Sequence, residues 1–328
     1  MFDSFQQQWT PILHSPELAA APVRVRVAGE ALVVFRGADG AATALLDRCP
    51  HRGVALSLGK VVNGCLECPF HGWRFAPDGA RAHVPYNALD PAQLRATRVG
   101  ALPTVERGGL VWVYTEVDAA EPGAPHIPEE LVDPKLARFT HAEVWQAHWT
   151  RAMENMLDTP HLPFVHGASI GRGMRVGLGP DARMEQEIED NAAGFRLRWT
   201  VNGASDGASL DWFRPNGMRL NLDFGGGRHA RPMVWCVPVG PRETRMMMVA
   251  VRDFGVGNPL LALGDRFNVR ILAEDRAVVE SSDPAEVPDP REEAHVPTDR
   301  PTLAFRRWYR ATQRDATRPG PLGIAPGA

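Results

Sequence analysis

Several features are scarce or missing in this chain of 328 residues. It has four cysteines, too few for a disulfide scaffold, which favours a cytoplasmic location. No apolar run is long enough to cross a membrane, and the N-terminal segment lacks the basic and apolar regions of a signal peptide. The net charge of −3 implies no basic face, so nucleic acid is not an expected partner. No G-x-G-x-x-G motif precedes a helix, so we do not expect direct nicotinamide binding.

The remaining composition is that of a globular protein, with 44% hydrophobic and 23% charged residues. The length suggests two domains. Apolar and polar residues alternate as in strands in "VRVRVAG" (23–29) and "EALVVFRG" (30–37). We therefore predict a β-domain over residues 1–118, a linker rich in Pro and Ala over 119–140, a second domain over 141–315 and a disordered tail over 316–328.

The second half predicts helices around an antiparallel sheet, and hence an α+β fold overall. Its first stretch, from residue 141 to about 157, has a helical pattern that the prolines at 160 and 163 should end. Alternating segments between 180 and 253 predict the antiparallel sheet. A long final helix is expected over about 259–281.

Three of the four cysteines lie close to two histidines, in a segment that glycine and proline interrupt. The pattern is Cys49-Pro-His51, then sixteen residues, then Cys68-Pro-Phe-His71. A structural zinc ion could use two cysteines and two histidines. In zinc fingers, however, one close pair usually consists of two cysteines and the other of two histidines. Here each close pair has one sulfur donor and one nitrogen donor. That arrangement suits a [2Fe–2S] cluster with two thiolates on one iron and two imidazoles on the other. Cys65 has no place in this pattern and is expected to be a free thiol.

A second group of polar residues follows in the stretch "ENMLDTPHLPFVHG". Asn155, Asp158 and His161 are spaced three apart and should share one side of a helix. On a straight helix His166 would point about 140° away from His161, but Pro163 between them can distort the chain so that both rings converge. Taken alone, the pattern also fits ordinary polar residues at a helix end.

Asp275 is the strongest candidate for an accompanying carboxylate. On a helical wheel it lies in the middle of an apolar face, where an unpaired carboxylate is costly and a metal ion would neutralise it. Glu274 and Asp283 lack this setting. A salt bridge from Asp275 to an arginine is the alternative. The apolar neighbours within about 60° of Asp275 are Ile271, Leu272, Val278 and Val279.

Together, "CPHRG", "CPFHGW" and N-x-x-D-x-x-H-x-x-x-x-H resemble the Rieske non-haem iron oxygenases, in particular the smaller terminal oxygenases (α-subunits) of the vanillate and dicamba demethylase type. The resemblance implies an all-β Rieske domain followed by a helix-grip catalytic domain. It assigns Cys49 and Cys68 to one iron of the cluster, and His51 and His71 to the other. It also assigns a catalytic Fe(II) to His161, His166 and Asp275.

The resemblance further implies that Asp158 bridges an iron ligand and His71 of a neighbouring subunit, so that the protein is a homotrimer or a multiple of one. Asn155 is a further candidate beside the iron. The expected activity is monooxygenation, by hydroxylation or oxidative demethylation, of a small, aromatic substrate. O2 is the oxidant, and a separate flavin and iron–sulfur reductase or a ferredoxin supplies electrons from NAD(P)H.

Other functions stay open at this point. Ring dioxygenation or desaturation would use the same cofactors. If the protein were an electron carrier, it would need only the first 118 residues, and the rest would be a docking domain. The two-histidine motif argues against this function. An interaction module stabilised by a structural zinc ion is a third possibility.

Overall fold

The computed structural model describes residues 1–95, 97–172, 178–179, 181–205 and 207–314. The predicted disordered tail at 316–328 lies outside the described residues. Within the described ranges, no helix combines the length and apolar character that crossing a membrane requires.

The N-terminal part of the chain forms three small antiparallel sheets. Their strand orders are β1-β11-β10, β2-β3-β4-β9 and β5-β6-β7-β8. The elements are β1 (Trp9–His14), β2 (Val23–Val27), β3 (Glu30–Arg36), β4 (Ala42–Leu46), β5 (Lys60–Val62), β6 (Cys65–Glu67), β7 (Arg74–Phe75), β8 (Arg81–His83), α1 (Pro91–Arg95), β9 (Ala101–Leu102), β10 (Thr104–Arg107) and β11 (Leu110–Tyr114), with 3₁₀ turns at Ser15–Glu17 and Leu56–Leu58.

The second part is dominated by a seven-stranded antiparallel sheet in the order β12-β18-β17-β16-β15-β14-β13. Helices pack on it, so the predicted α+β fold class is confirmed. The strands are β12 (Ala137–Trp145), β13 (Met184–Asp190), β14 (Gly194–Val201), β15 (Ser209–Phe213), β16 (Gly217–Asp223), β17 (His229–Gly240) and β18 (Glu243–Arg252). The helices are α2 (Trp149–Leu157), α3 (Leu162–Val165), α4 (Pro259–Gly264), α5 (Phe267–Val279) and α6 (Arg300–Tyr309), with 3₁₀ turns at Glu129–Leu131, Pro290–Glu292 and Pro297–Asp299 and a π-helical turn at Arg310–Arg314.

The helix predicted from residue 141 was wrong in its first part. Residues 137–145 form β12, and all nine of them pair with β18, from Ala137 opposite Arg252 to Trp145 opposite Thr244. Pairing with a neighbouring strand outweighs the local helical preference, as is common where tertiary contacts decide. β12 also begins four residues before the predicted start of the second domain. Helix α2 begins only after His148, whose ring accepts a hydrogen bond from the Thr150 amide and caps the helix.

The long final helix was predicted as one element but forms two, α4 and α5. Asp265, which lies between them, makes two 3.1 Å hydrogen bonds to the Arg252 guanidinium at the end of β18. This pairing anchors the junction to the sheet. Helix α5, which carries Asp275, begins directly after it.

Aromatic packing holds α2 in place. The Trp149 ring meets Phe5, Phe305 and Tyr309 edge-on, with centroid distances of 5.2, 5.7 and 5.3 Å. These partners come from the N-terminal segment and α6, so three distant parts of the chain share one core with the sheet. Edge-to-face pairs of this kind add stability beyond the apolar area they bury. The helix that leads into the two-histidine segment therefore has a defined position.

A buried ion pair joins α2 to α6 beside this core. The Arg306 guanidinium donates to both carboxylate oxygens of Glu154 and, at 2.6 Å, to Glu293. Arg151 also contacts Glu154 and Glu293, at 3.4 and 2.8 Å. The Arg306 side chain is 5% exposed and that of Glu154 12%. Removing one member of such a pair leaves an uncompensated charge in a site of low dielectric.

We predict that Arg306→Met lowers the free energy of unfolding by about 3–5 kcal/mol, because it leaves Glu154 buried with too little positive charge. The matched control is Arg291→Met. Arg291 also pairs with a carboxylate, Asp289, but is 89% exposed, so its loss should cost no more than about 0.5 kcal/mol. Urea unfolding of both variants measures the difference. Equal free energies of unfolding for the two variants would contradict the stabilising role of the buried pair.

Candidate metal centres

Cys49 and Cys68 begin two loops with the same backbone pattern. In each loop the amide of the glycine four residues on donates to the cysteine carbonyl, at 2.8 and 3.0 Å. The cysteine amide in turn donates to the carbonyl five residues on, at 2.8 Å in both loops. Gly53 and Gly72 have φ of +73° and +68°, which side chains strongly disfavour. The glycines of "CPHRG" and "CPFHG" are thus explained by these tight turns.

The two cysteines are buried, unoxidised and close to each other. Each is 2% exposed, and neither is in a disulfide. Burial raises the pKa of Cys49, the neighbouring Cys68 thiol raises it further, and backbone N–H groups of His51 and Arg52 act in the opposite direction. Backbone donors aimed at a sulfur favour its thiolate, the form that binds a metal.

The histidine rings of the two loops also lie side by side. The His51 and His71 centroids are 4.6 Å apart, and the Trp73 ring stacks on His51 at 4.3 Å with an interplanar angle of 5°. His51 Nδ1 is buried and has no hydrogen-bond partner. Burial and the charges of His71 and Arg52 lower the pKa of His51, which keeps the ring neutral as a metal ligand must be.

The four donors do not converge on one point. A zinc ion at bond lengths of about 2.0–2.3 Å would hold all its donors within about 4 Å of one another. In the part of the chain that the structure describes, a group of three or more potential ligand atoms within 4.8 Å of one another is found elsewhere, at His161, His166 and Asp275. Two thiols paired in one place and two rings paired in another instead fit a centre with two metal ions.

The second centre forms where the chain turns between α2 and α5. Helix α2 ends at Leu157, and His161 and His166 flank the one-turn helix α3. The predicted distortion is therefore present, although the helix already breaks before His161 rather than at Pro163. The Nε2 atoms of His161 and His166 lie 3.4 and 3.2 Å from Oδ1 of Asp275. Sequence reasoning thus selected three residues that the fold brings together.

Asp275 is 3% exposed, and its Oδ1 has no hydrogen bond of good geometry. Burial disfavours its charge, but the two histidines outweigh this and lower its pKa. Burial likewise opposes the charged form of His166, yet Asp275 and Glu274 raise its pKa. Among the described residues the ionic partners of Asp275 are the two histidines, and neither of them is the arginine that the alternative requires.

Glu274 has a role that the sequence did not reveal. Its Oε2 lies 3.0 Å from His166 Nδ1 and accepts the Ser169 hydroxyl at 2.5 Å, while its Oε1 accepts from Arg270 at 3.1 Å. This leaves Nε2 of His166 directed toward Asp275. The sequence did contain one signal for this role, because Glu274 directly precedes Asp275. The two carboxylates therefore lie on adjacent faces of α5.

The other two predicted residues lie beside the triad. Asp158 ends α2, and its Oδ2 is 3.8 Å from His161 Nδ1; partial burial raises its pKa to about 6, against the effect of the His161 ring. The Asn155 side-chain nitrogen is buried without a partner. Both residues line the triad's cavity and also a second cavity, which residues of α5 and α6 line as well.

The triad lies at one end of an apolar cavity of about 330 Å³, between the sheet and α5. Alternate residues of five neighbouring strands face it, as the pleat requires. Met248 of β18 lines it. Trp212 packs in the core instead, at 1% exposure. Strand residues at the wall include Trp199, Leu210, Met218, Leu220, Leu222, Val234 and Met248.

The chain matches two family models. Residues 8–99 match the Rieske [2Fe-2S] domain, and residues 145–314, more than half of the chain, match the vanillate O-demethylase oxygenase C-terminal domain. The chain belongs to the Rieske non-haem iron oxygenase family. The recognition made from the two motifs is thereby confirmed. The family's cofactors are a [2Fe–2S] cluster and a mononuclear iron, and both donor sets fit them: paired thiols and paired imidazoles at one centre, and two imidazoles with a buried carboxylate at the other.

Individual relatives differ in activity and in length. The 3-chlorobenzoate-3,4-dioxygenase oxygenase subunit of Comamonas testosteroni is 35% identical over 49% of this chain and 38% of its own. The methylxanthine N1-demethylase of Pseudomonas putida is 26% identical over 92% of this chain and 87% of its own. The crystal structure of dicamba monooxygenase bound to dicamba superposes with a TM-score of 0.79 at 22% identity, covering 95% of this chain and 99% of that one. The chain spans only about a third of the length of several curated relatives.

Glu274→Leu should weaken Fe(II) binding by about 10–100-fold, because His166 Nδ1 loses the group that orients the ring. Glu274→Gln keeps an acceptor at this position and should bind iron nearly as well as the wild type. Titration of metal-free protein with Fe(II), or with Co(II) followed by its absorbance, measures the affinities. An unchanged affinity in the leucine variant would show that the ring is held without Glu274.

Proposed function

We propose that this chain is a terminal oxygenase that uses O2 and electrons from a separate reductase or ferredoxin to monooxygenate a small organic, aromatic substrate. The observation that carries the proposal is the buried triad of His161, His166 and Asp275 at the end of an apolar cavity. Two imidazoles and one carboxylate on one face of Fe(II) leave the other positions open. The adjacent cavity offers space for a substrate.

In this proposal the ligands divide between two centres. Cys49, Cys68, His51 and His71 hold the cluster, and the triad holds the iron. When bound, these groups supply single electrons and the activation of O2. The protein contributes a dry site, because the cavity wall is mostly apolar side chains, and a fixed ligand geometry, because Glu274 and the packing of α2 hold the residues in place.

Demethylation or hydroxylation is favoured over other outcomes because the methylxanthine demethylase matches 92% of this chain. Ring dioxygenation is the second candidate, since the chlorobenzoate dioxygenase subunit has the higher identity over a shorter segment. Desaturation would use the same centres. We also propose a homotrimer, in which Asp158 lies between the iron of one subunit and His71 of the next, and a cytoplasmic location, which suits four free cysteines.

The test is reconstitution with both metals, a surrogate flavin reductase and NADH. O2 uptake and formaldehyde release are followed with aromatic methyl ethers, N-methyl amines and unsubstituted aromatics. Substrate-stimulated O2 uptake supports an oxygenase, and stoichiometric formaldehyde identifies demethylation. Reduction of the cluster without stimulated uptake by any compound would favour an electron carrier, as would two irons per chain instead of three.

Two variants separate the proposed roles. Asp158→Ala should keep three irons per chain but lose turnover, because the link between subunits is removed while the ligands remain. His161→Ala should keep the visible spectrum of the cluster and lose the third iron. Iron analysis with absorbance and O2 uptake provides the readouts. Normal turnover in Asp158→Ala would exclude the bridging role, and loss of the cluster in His161→Ala would exclude the assignment of the two centres.

A further inference from the structure

We infer that the cavity beside the triad selects an uncharged substrate and disfavours carboxylates, with Asn268 accepting a hydrogen bond from the substrate's polar group. The inference rests on the proposed function and specifies its substrate class. It would separate this chain from the relative named for chlorobenzoate, an anion.

The described residues of the cavity offer no positively charged side chain to an anionic substrate. Among the described residues that line the cavity, none is arginine or lysine. Two arginines near its helical wall in the sequence are already paired, Arg252 with Asp265 and Arg270 with Glu274, each at 3.1 Å. A carboxylate entering this space would lose its hydration without gaining a counter-ion, which is strongly unfavourable.

The metal would not supply the missing charge. Asp158 and Asp275 both line the cavity, and their two formal negative charges equal the positive charge of a ferrous ion. Substrate anions would therefore meet a site with no net positive charge. Neutral molecules avoid this cost and still bury their apolar surface against the strand side chains.

Asn268 is placed where its side-chain amide can hydrogen-bond a ligand in the cavity. It lies two helical turns before Asp275 on α5, on the same face, and lines the cavity together with Ile271 and Leu272. Its side-chain amide donates one hydrogen bond, to the Asp265 carbonyl at 2.8 Å. Within the described residues, its Oδ1 and second N–H have no partner in the protein. An asparagine amide can make further hydrogen bonds, and a ligand can take them.

The hydroxyl of Thr159, another polar group on the wall, is less available. The Thr159 hydroxyl already accepts the Gln186 amide at 3.2 Å and contacts the Met184 sulfur at 3.5 Å. The cavity thus combines an apolar body with the triad and two side-chain amides, Asn268 on α5 and Asn155 on α2. A small apolar cavity of about 150 Å³ holds benzene, so about 330 Å³ suits one substituted ring or a fused pair.

Isothermal titration calorimetry on the iron-loaded protein tests the inference with three ligands of similar shape. These are 3-methoxybenzamide, methyl 3-methoxybenzoate and 3-methoxybenzoate at pH 7.5. The amide is neutral and has N–H donors, the ester is neutral without a donor, and the acid is charged. We expect the order amide, ester, acid, with the acid at least about tenfold weaker than the amide because of its unpaired charge.

Asn268→Leu, a substitution of similar size, tests the residue itself. It should abolish the preference for the amide over the ester while the ester still binds more tightly than the acid. A loss of binding for all three ligands in this variant would overturn the specific role of Asn268. Its iron content and circular dichroism show whether it is folded and loaded.

The outcomes also distinguish this inference from the proposed function. With three irons per chain, tighter binding of the acid, or no binding of either neutral ligand, overturns the neutral substrate class and leaves the oxygenase proposal intact. Fewer than three irons, with no O2 uptake in the reconstituted assay, overturns the proposed function instead.

Discussion

The burial of the Asp275 carboxylate between two imidazoles is the interaction on which the site depends. A carboxylate at 3% exposure is tolerated only with nearby positive charge, and its Oδ1 lies within 3.4 Å of two histidine nitrogens instead of an arginine. That geometry requires α2, α3 and α5 to meet at one point. The aromatic contacts of Trp149 and the buried Arg306–Glu154 pair hold α2 there. Structural stability and the proposed chemistry therefore rely on the same elements.

The two centres are built in different ways. The cysteine and histidine loops are local structures, each closed by its own backbone hydrogen bonds and by a glycine with positive φ. The triad is assembled from segments more than 100 residues apart, and the sheet supplies the surface on which they meet. Asn155 and Asp158 lie next to the triad and line its cavity as well as a second one.

Relatives of this chain include both a methylxanthine demethylase and the oxygenase subunit of a chlorobenzoate dioxygenase. Membership of this family therefore does not by itself define the reaction or the compound. The side chains that line the cavity from the sheet and from the first turns of α5 are apolar, except for the uncharged amide of Asn268. Substrate choice is therefore expected to depend on charge complementarity within this cavity, which follows from residues outside the motifs.

Local chemistry allowed the sequence alone to select the candidate ligand residues and several of the strands. Cys49 and His51 lie two apart, and the apolar face around Asp275 is a property of one helix. The sequence did not determine β12, because residues 141–145, which have a helical pattern, became part of a strand by pairing with β18, about 100 residues away. It also did not determine the contact of Glu274 with His166, since only the packing of α5 against α3 brings them to 3.0 Å. Long-range contacts such as these leave no periodic signal in the chain, so only the tertiary structure decided them.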